Sequence, residues 1–166
     1  ALSIPVPFTK PVGAGAGGYF APHIRAYIRR SGAPNHIGAM VAVKDRLNAL
    51  KNPYAHLKIE DISIEKVKAS PMMWEPIRFL ESCPSSDGAC AMVLTDEEGG
   101  KAAAAGGRPP AWILGTSSRS EPPNFPGRDP VRPEACLQCA DDVYAMAGIT
   151  NPREQIDMAE LYVPFS

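Results

Sequence analysis

Proline and glycine set the terms on which this chain can fold: eighteen prolines and fourteen glycines among 166 residues cut it into short regular segments joined by long loops. A pyrrolidine ring removes a backbone donor and clashes with the preceding turn, so helices stop before Pro53 and Pro71, while Pro133 suits the start of one. Pro5, Pro7 and Pro11 keep the first eighteen residues irregular, and Gly13 to Gly18 (GAGAGG) read as a flexible loop able to approach another backbone closely. That tract lacks the preceding strand that a phosphate-cradling glycine fingerprint needs. Ordered loops of such length in an enzyme are usually lids or binding surfaces.

The hydrophobic fraction of 45% agrees with a globular fold rather than a disordered or collagen-like chain. Net charge is −1, from 17 basic and 18 acidic residues, and no block of like charge advertises nucleic acid or a membrane surface. No apolar run is long enough to cross a bilayer. Cys136 and Cys139 are spaced CxxC, but no second pair follows, and His23, His36 and His56 lie far away in sequence. Four zinc ligands are therefore not expected to assemble, and no metal site is predicted. Unpaired cysteines and the lack of a signal-peptide pattern at Ala1 lead to the expectation of a cytoplasmic protein.

Apolar periodicity outlines the elements. Phe20, Ile24, Tyr27 and Ile28 fall on one face of a helix that Gly32 ends, with Arg25, Arg29 and Arg30 mostly on the solvated side. A second helix is predicted from an N-cap at Asn35 to Asn52-Pro53, with Ile37, Val41, Lys44 and Leu47 as its buried stripe, flanked by Met40 and Val43. Ser63 leads a short helix over 64–69, and Met72 to Leu80 reads as extended or irregular chain. Residues 88–95 (GACAMVLT) predict a strand buried on both faces, Asp96 opens a helix that Gly106-Gly107 stops, and 111–115 (AWILG) predict a second strand. A helix follows Pro133 as far as Gly148, and Met158 to Val163 begins a last strand. The alternation of strand and helix after residue 87 predicts an α/β class with a layered sheet.

Three runs carry a resemblance. Cys83 to Leu94 (CPSSDGACAMVL), preceded by Ala69-Ser70-Pro71-Met72, resembles the "SDGAAAVVL" strand of the thiolase superfamily. Asp157 to Phe165 (DMAELYVPF) is similar to its "EINEAF" strand and turn, written "ELHDAF" in the thiolase-like lipid-transfer branch of sterol-carrier-type thiolases and steroid side-chain aldolases. Val41 to Lys44 with Asn52-Pro53 resembles that branch's "AVKNHRNAxxNP" helix. The resemblance implies a partial thiolase fold from the middle of a longer protein. Residues 1–75 would be a loop-rich insertion over a coenzyme A site, 76–108 the end of the first half and 109–166 the start of the second.

It also implies chemistry. The substrate would be a coenzyme A thioester, with no tightly bound cofactor. Cys83 stands where thiolases hold a small residue against the pantetheine, and Gly17-Gly18 match another turn near the cofactor. None of Cys83, Cys90, Cys136 and Cys139 matches the family's nucleophile. Tyr162 stands where classical thiolases have Asn or His, and Val163-Pro164 replace the usual "EA" or "DA" pair. A phenol there fits retro-aldol cleavage of a β-hydroxyacyl-CoA side chain, with Tyr162 as the catalytic residue. The alternatives are an acetyl-CoA C-acyltransferase and a non-catalytic acyl-CoA or lipid-binding subunit. A homodimer and a small OB-fold, zinc-ribbon partner are further expectations of the resemblance.

Overall fold

Local stop and start signals fix the helices. In a computed structural model of the chain, which describes residues 15–122 and 128–166, helix α1 spans Ala16–Ser31 and ends at Gly32, whose φ of 72° lets its N–H close on the Ile28 carbonyl at 3.0 Å. Helix α2 spans Ile37–Lys51 and α3 spans Ile64–Ala69. The Ser63 hydroxyl caps α3 by accepting the Lys66 N–H at 3.1 Å, an interaction worth about 1 kcal/mol. A hairpin follows, β1 over Met72–Trp74 against β2 over Ile77–Arg78, antiparallel and running into a 3-10 turn at Phe79–Glu81. Asp96 caps α4, Glu97–Ala105, by accepting the Gly99 N–H at 2.9 Å, and Glu97 and Glu98 favour its positive end. Helix α5 covers Glu134–Ala147, and a single turn, α6, covers Pro152–Gln155.

These elements form two compact units: Ala1–Pro84 with Ser120–Glu134 and Ala159–Ser166, and Ser85–Arg119 with Ala135–Met158. The core of the first unit joins α2 and α3: Ala39, Ala42, Ile62 and a fully buried Val67, with Val43, Ile59, Ile64 and Leu80 packed against them. Ile77 is buried on the hairpin. Burying a side chain such as Val67 or Ile77 stabilises the unit by about 1.5–3 kcal/mol.

Several expectations are corrected here. The irregular tract expected up to residue 18 already turns helical at Ala16, and residues 1–14, with Pro5, Pro7 and Pro11, lie outside the described residues. In α1 the buried positions are Gly17 and Ala21, while Phe20 and Tyr27 are exposed. Asn35 is not the N-cap of α2. Pro34 accepts the Ile37 N–H at 2.9 Å in a preceding turn, which makes His36 the cap residue. The buried face of α2 is Gly38, Ala39 and Ala42 rather than the Val41, Lys44 and Leu47 stripe, because small residues let the neighbouring elements approach closely.

The largest correction concerns the sheet. Among the described residues the only sheet is the two-stranded hairpin. Residues 88–95, 111–115 and 158–163 follow no ladder, and their large side chains are exposed: Val93 is 93% accessible, Ile113 65% and Leu161 80%. A continuous apolar run marks a strand only when neighbours supply hydrogen bonds on its edges and cover on its faces. Among the described residues none of the three segments has a ladder partner, and the large side chains named above are left uncovered.

The second unit is held by contacts around residues 111–119. Trp112 packs against Gly100 of α4, and Gly115 lies against Val143 and Met146 of α5. Arg119 makes a bidentate pair with Asp142 of α5, Nε to Oδ2 at 2.7 Å and Nη2 to Oδ1 at 2.8 Å, and the Ser117 hydroxyl donates to Oδ2 at 2.6 Å. The Arg119 hydrogen bonds, then that of Ser117, hold the Asp142 carboxyl down at about 2, below its ordinary 3.8. A depressed folded-state value gives a contribution that is complete above about pH 4 and lost as pH falls through about 2. Acid titration followed by amide exchange should therefore release residues 117–119 from α5 within that window. Arg119→Gln should move the release to higher pH; an unmoved transition would contradict the assignment.

Candidate functional site

The glycines of the first turn of α1 are held by an indole. Gly17 is buried because the Trp74 ring lies over it: a Cβ at Gly17 would stand 2.1, 2.4 and 2.8 Å from three ring atoms. No side chain fits that space, so the glycine allows the close approach. Trp74, the last residue of β1, stands edge-on to Phe165 with ring centroids 6.3 Å apart. Phe165 packs in turn against Phe20 of α1 at 5.6 Å, and Phe20 meets Tyr19 edge-on at 5.2 Å. Pairs of this kind contribute about 0.5–1.5 kcal/mol each beyond the area they bury. The glycine turn is thereby clamped to the segment that carries Phe165.

Cys83 joins the same segment through the backbone. Its N–H donates to the Pro164 carbonyl at 2.9 Å, Ser82 and Phe165 form an antiparallel bridge, and the Ser166 N–H donates to the Glu81 carbonyl at 3.1 Å. The Ser166 hydroxyl adds a second donor to that carbonyl at 3.3 Å. Arg46 of α2 fixes the other side by donating to the Ser82 carbonyl at 3.0 Å. Cys83 itself is exposed and lines a recess of about 100 Å³ with Asp45, Arg46 and Val163. That recess is well short of the few hundred Å³ a small-molecule pocket usually offers.

Glu81 is a buried carboxylate at this junction. Its Oε2 accepts the Arg78 N–H at 2.7 Å, and its Oε1 lies so close to Gly38 that a Cβ there would approach it to 2.4 Å. Burial pushes its carboxyl up from the ordinary value, against the opposing pull of the Arg78 backbone hydrogen bond and charge.

Of the residues predicted from sequence, Gly17 (through Trp74) and Cys83 (through its N–H) are brought to one segment, the one that also bears Tyr162, and Gly18 follows Gly17 in α1. Tyr162 is 88% exposed, and its hydroxyl makes no hydrogen bond among the described residues. A larger cavity of about 540 Å³ contains none of them; it is lined by Arg25, Arg29, Lys68, Arg78 and His36 opposite Glu75 and Glu81. Arg25 is ion-paired with Glu75 across 50 residues of sequence. Sequence reasoning missed Trp74, Phe165 and Glu81, whose roles rest on contacts between segments far apart in the chain. All four cysteines are free, and among the described residues no cluster of three metal-ligating side chains forms. No helix among them is long and apolar enough to cross a membrane.

No family model matches the chain. It is 34% identical over 154 residues to the benzoylsuccinyl-CoA thiolase subunit BbsB of Thauera aromatica, covering 93% of the chain and 39% of that relative. It is 28% identical over 148 residues to an acetyl-CoA acetyltransferase of Methanothermobacter thermautotrophicus, covering 89% of the chain and 37% of the relative. Over 71 residues it is 39% identical to the 17-hydroxy-3-oxo-4-pregnene-20-carboxyl-CoA lyase of Mycobacterium tuberculosis, covering 43% of the chain and 18% of the relative. The chain thus spans at most about two fifths of the length of these curated relatives.

The clamp on the glycine turn is testable. Gly17→Ala should destabilise the first unit by about 1–3 kcal/mol through overpacking against Trp74, although alanine gains roughly 1 kcal/mol in helix propensity. The double variant Gly17→Ala/Trp74→Ala should no longer show that overpacking penalty. Denaturant midpoints measure both, and a Gly17→Ala protein as stable as its parent would refute the contact.

Proposed function

The chain belongs to the thiolase superfamily, and from that premise we propose that it forms the coenzyme A-facing part of a thiolase-like acyl-CoA enzyme that cleaves a β-hydroxyacyl-CoA side chain by a retro-aldol reaction. In this reading residues 1–75 form the insertion over the coenzyme A, 76–108 close the first half of a partial thiolase fold and 109–166 open the second. The observation that carries the reading is the hydrogen bond from the Cys83 N–H to the Pro164 carbonyl at 2.9 Å. It holds the proposed pantetheine-side residue Cys83 against the segment bearing Tyr162, while Trp74 and Phe165 tie the Gly17-Gly18 turn to that same segment.

The chemistry is a proton transfer coupled to bond cleavage. Tyr162, the general base of this reading, takes the proton of the β-hydroxyl, the β-carbon becomes a carbonyl, and the Cα–Cβ bond breaks. The electron pair moves into the thioester enolate, which backbone donors stabilise until it is protonated to the shorter acyl-CoA. Support for a lyase comes from the likeness to the Mycobacterium tuberculosis enzyme and to a steroid side-chain-cleaving aldolase of Thermomonospora curvata, 33% identical over 96 residues.

A second reading, acyl transfer between coenzyme A thioesters, is favoured by one observation: the relatives that match nearly the whole chain carry thiolase and acetyltransferase names. It needs a nucleophilic cysteine, which Cys83, Cys90, Cys136 and Cys139 do not match, and such a cysteine in polypeptide outside these 166 residues would favour it.

In the intact protein, Tyr162→Phe should lower release of the shorter acyl-CoA by at least about 100-fold while leaving acyl-CoA binding and the folded state unchanged. Full activity in that variant, or cleavage that requires free coenzyme A as acceptor, would overturn the lyase reading.

A further inference from the structure

The retro-aldol chemistry makes no use of the two thiols of α5. Cys136 and Cys139 stand three residues apart near the start of that helix, Glu134–Ala147. A three-residue step in an α-helix advances about 4.5 Å along the axis and returns to nearly the same face, which puts the two Cα atoms about 5 Å apart. A disulfide spans Cα separations of about 4.4–6.8 Å. Side-chain rotation and a small adjustment of the turn can therefore bring the two sulfurs together. Cys136 lies in the first turn, where a backbone N–H has no carbonyl one turn back, so the adjustment costs no hydrogen bond of that N–H.

The two thiols differ in access. Both are free, Cys136 is exposed and Cys139 is half-buried. Asp142, three residues beyond Cys139 on α5, holds Arg119 through two hydrogen bonds, and the same guanidinium is within electrostatic reach of Cys139. Thiol–disulfide exchange runs through thiolates, and Arg119 supplies positive charge where the less accessible sulfur would carry its negative charge. Cys83 and Cys90 have no such arrangement: neither lies on a helix, and neither has a cysteine three or four residues away.

We infer that Cys136 and Cys139 form a thiol–disulfide exchange site that reduces low-molecular-weight disulfides and is left as an intrahelical disulfide. The exposed Cys136 thiolate attacks one sulfur of the small disulfide, forming a mixed disulfide and expelling the first small thiolate. The Cys139 thiolate then attacks the Cys136 sulfur, closing the protein disulfide and expelling the second. Two electrons pass from the dithiol to the small disulfide, and the two protons lost by the cysteines end on the two released thiols. Cys136 without Cys139 would stop at the mixed disulfide. The inference does not depend on which reaction the protein catalyses.

Glutathione disulfide is the probe. The intact protein, reduced and then freed of reductant, is incubated with it, and the mass of the peptide spanning α5 is followed. That peptide should lose two hydrogens, carry no lasting glutathione, and regain its starting mass with dithiothreitol. In Cys139→Ser, one glutathione should remain on Cys136 at least about tenfold longer than in the parent, because the resolving thiol is gone. A glutathione adduct that persists on Cys136 of the parent protein would overturn the inference. So would an α5 peptide that stays fully reduced; both of these results are read on the parent and do not rest on how the variant folds.

Discussion

Three hydrogen bonds between Glu81-Ser82-Cys83 and Pro164-Phe165-Ser166 hold together everything else in the candidate site. Two are backbone contacts of 2.9 and 3.1 Å, and the third adds the Ser166 hydroxyl at 3.3 Å. Each has a net worth of only about 0.5–1.5 kcal/mol, but together they close a loop of some eighty residues. Once that loop is closed, Phe165 stands between Phe20 and Trp74, and Trp74 rests on Gly17. Without the closure, the glycine turn, Cys83 and the Tyr162 segment would be independent pieces of surface.

The legible part of the fold is the part governed by neighbours in sequence. Gly32, Ser63, Asp96 and Gly148 mark helix ends by backbone conformation or a short side-chain cap, and the structure uses them at those places. Asn35 shows the limit of such signals: a turn through Pro34 displaces the start of α2 by one residue, to His36. The face of a helix that becomes buried is less local. On α2 the large apolar residues looked like the core stripe, but the site of close packing falls on Gly38, Ala39 and Ala42.

Strands are least local of all. The runs at 88–95, 111–115 and 158–163 were readable as apolar and extended, but a ladder is a property of a pair of segments, and the hairpin at Met72–Arg78 alone forms one among the described residues. The candidate site divides in the same way. Gly17, Gly18, Cys83 and Tyr162 came from motifs that lie within single stretches. Trp74, Phe165 and Glu81 act across 57, 91 and 85 residues respectively in contacts with Gly17, Trp74 and Ser166, distances over which sequence periodicity carries no information.

The central claim is that an acyl-CoA lies against the junction of the glycine turn with Cys83 and Pro164. Peptide-resolved alkylation of the intact protein measures this most directly, because Cys83 and Cys136 are both exposed and report from different units. Saturating acyl-CoA should slow modification of Cys83 by at least about tenfold, as expected for a thiol covered by bound ligand, and leave Cys136 unchanged. Equal rates at Cys83 with and without ligand, under conditions where binding is complete, would contradict the account.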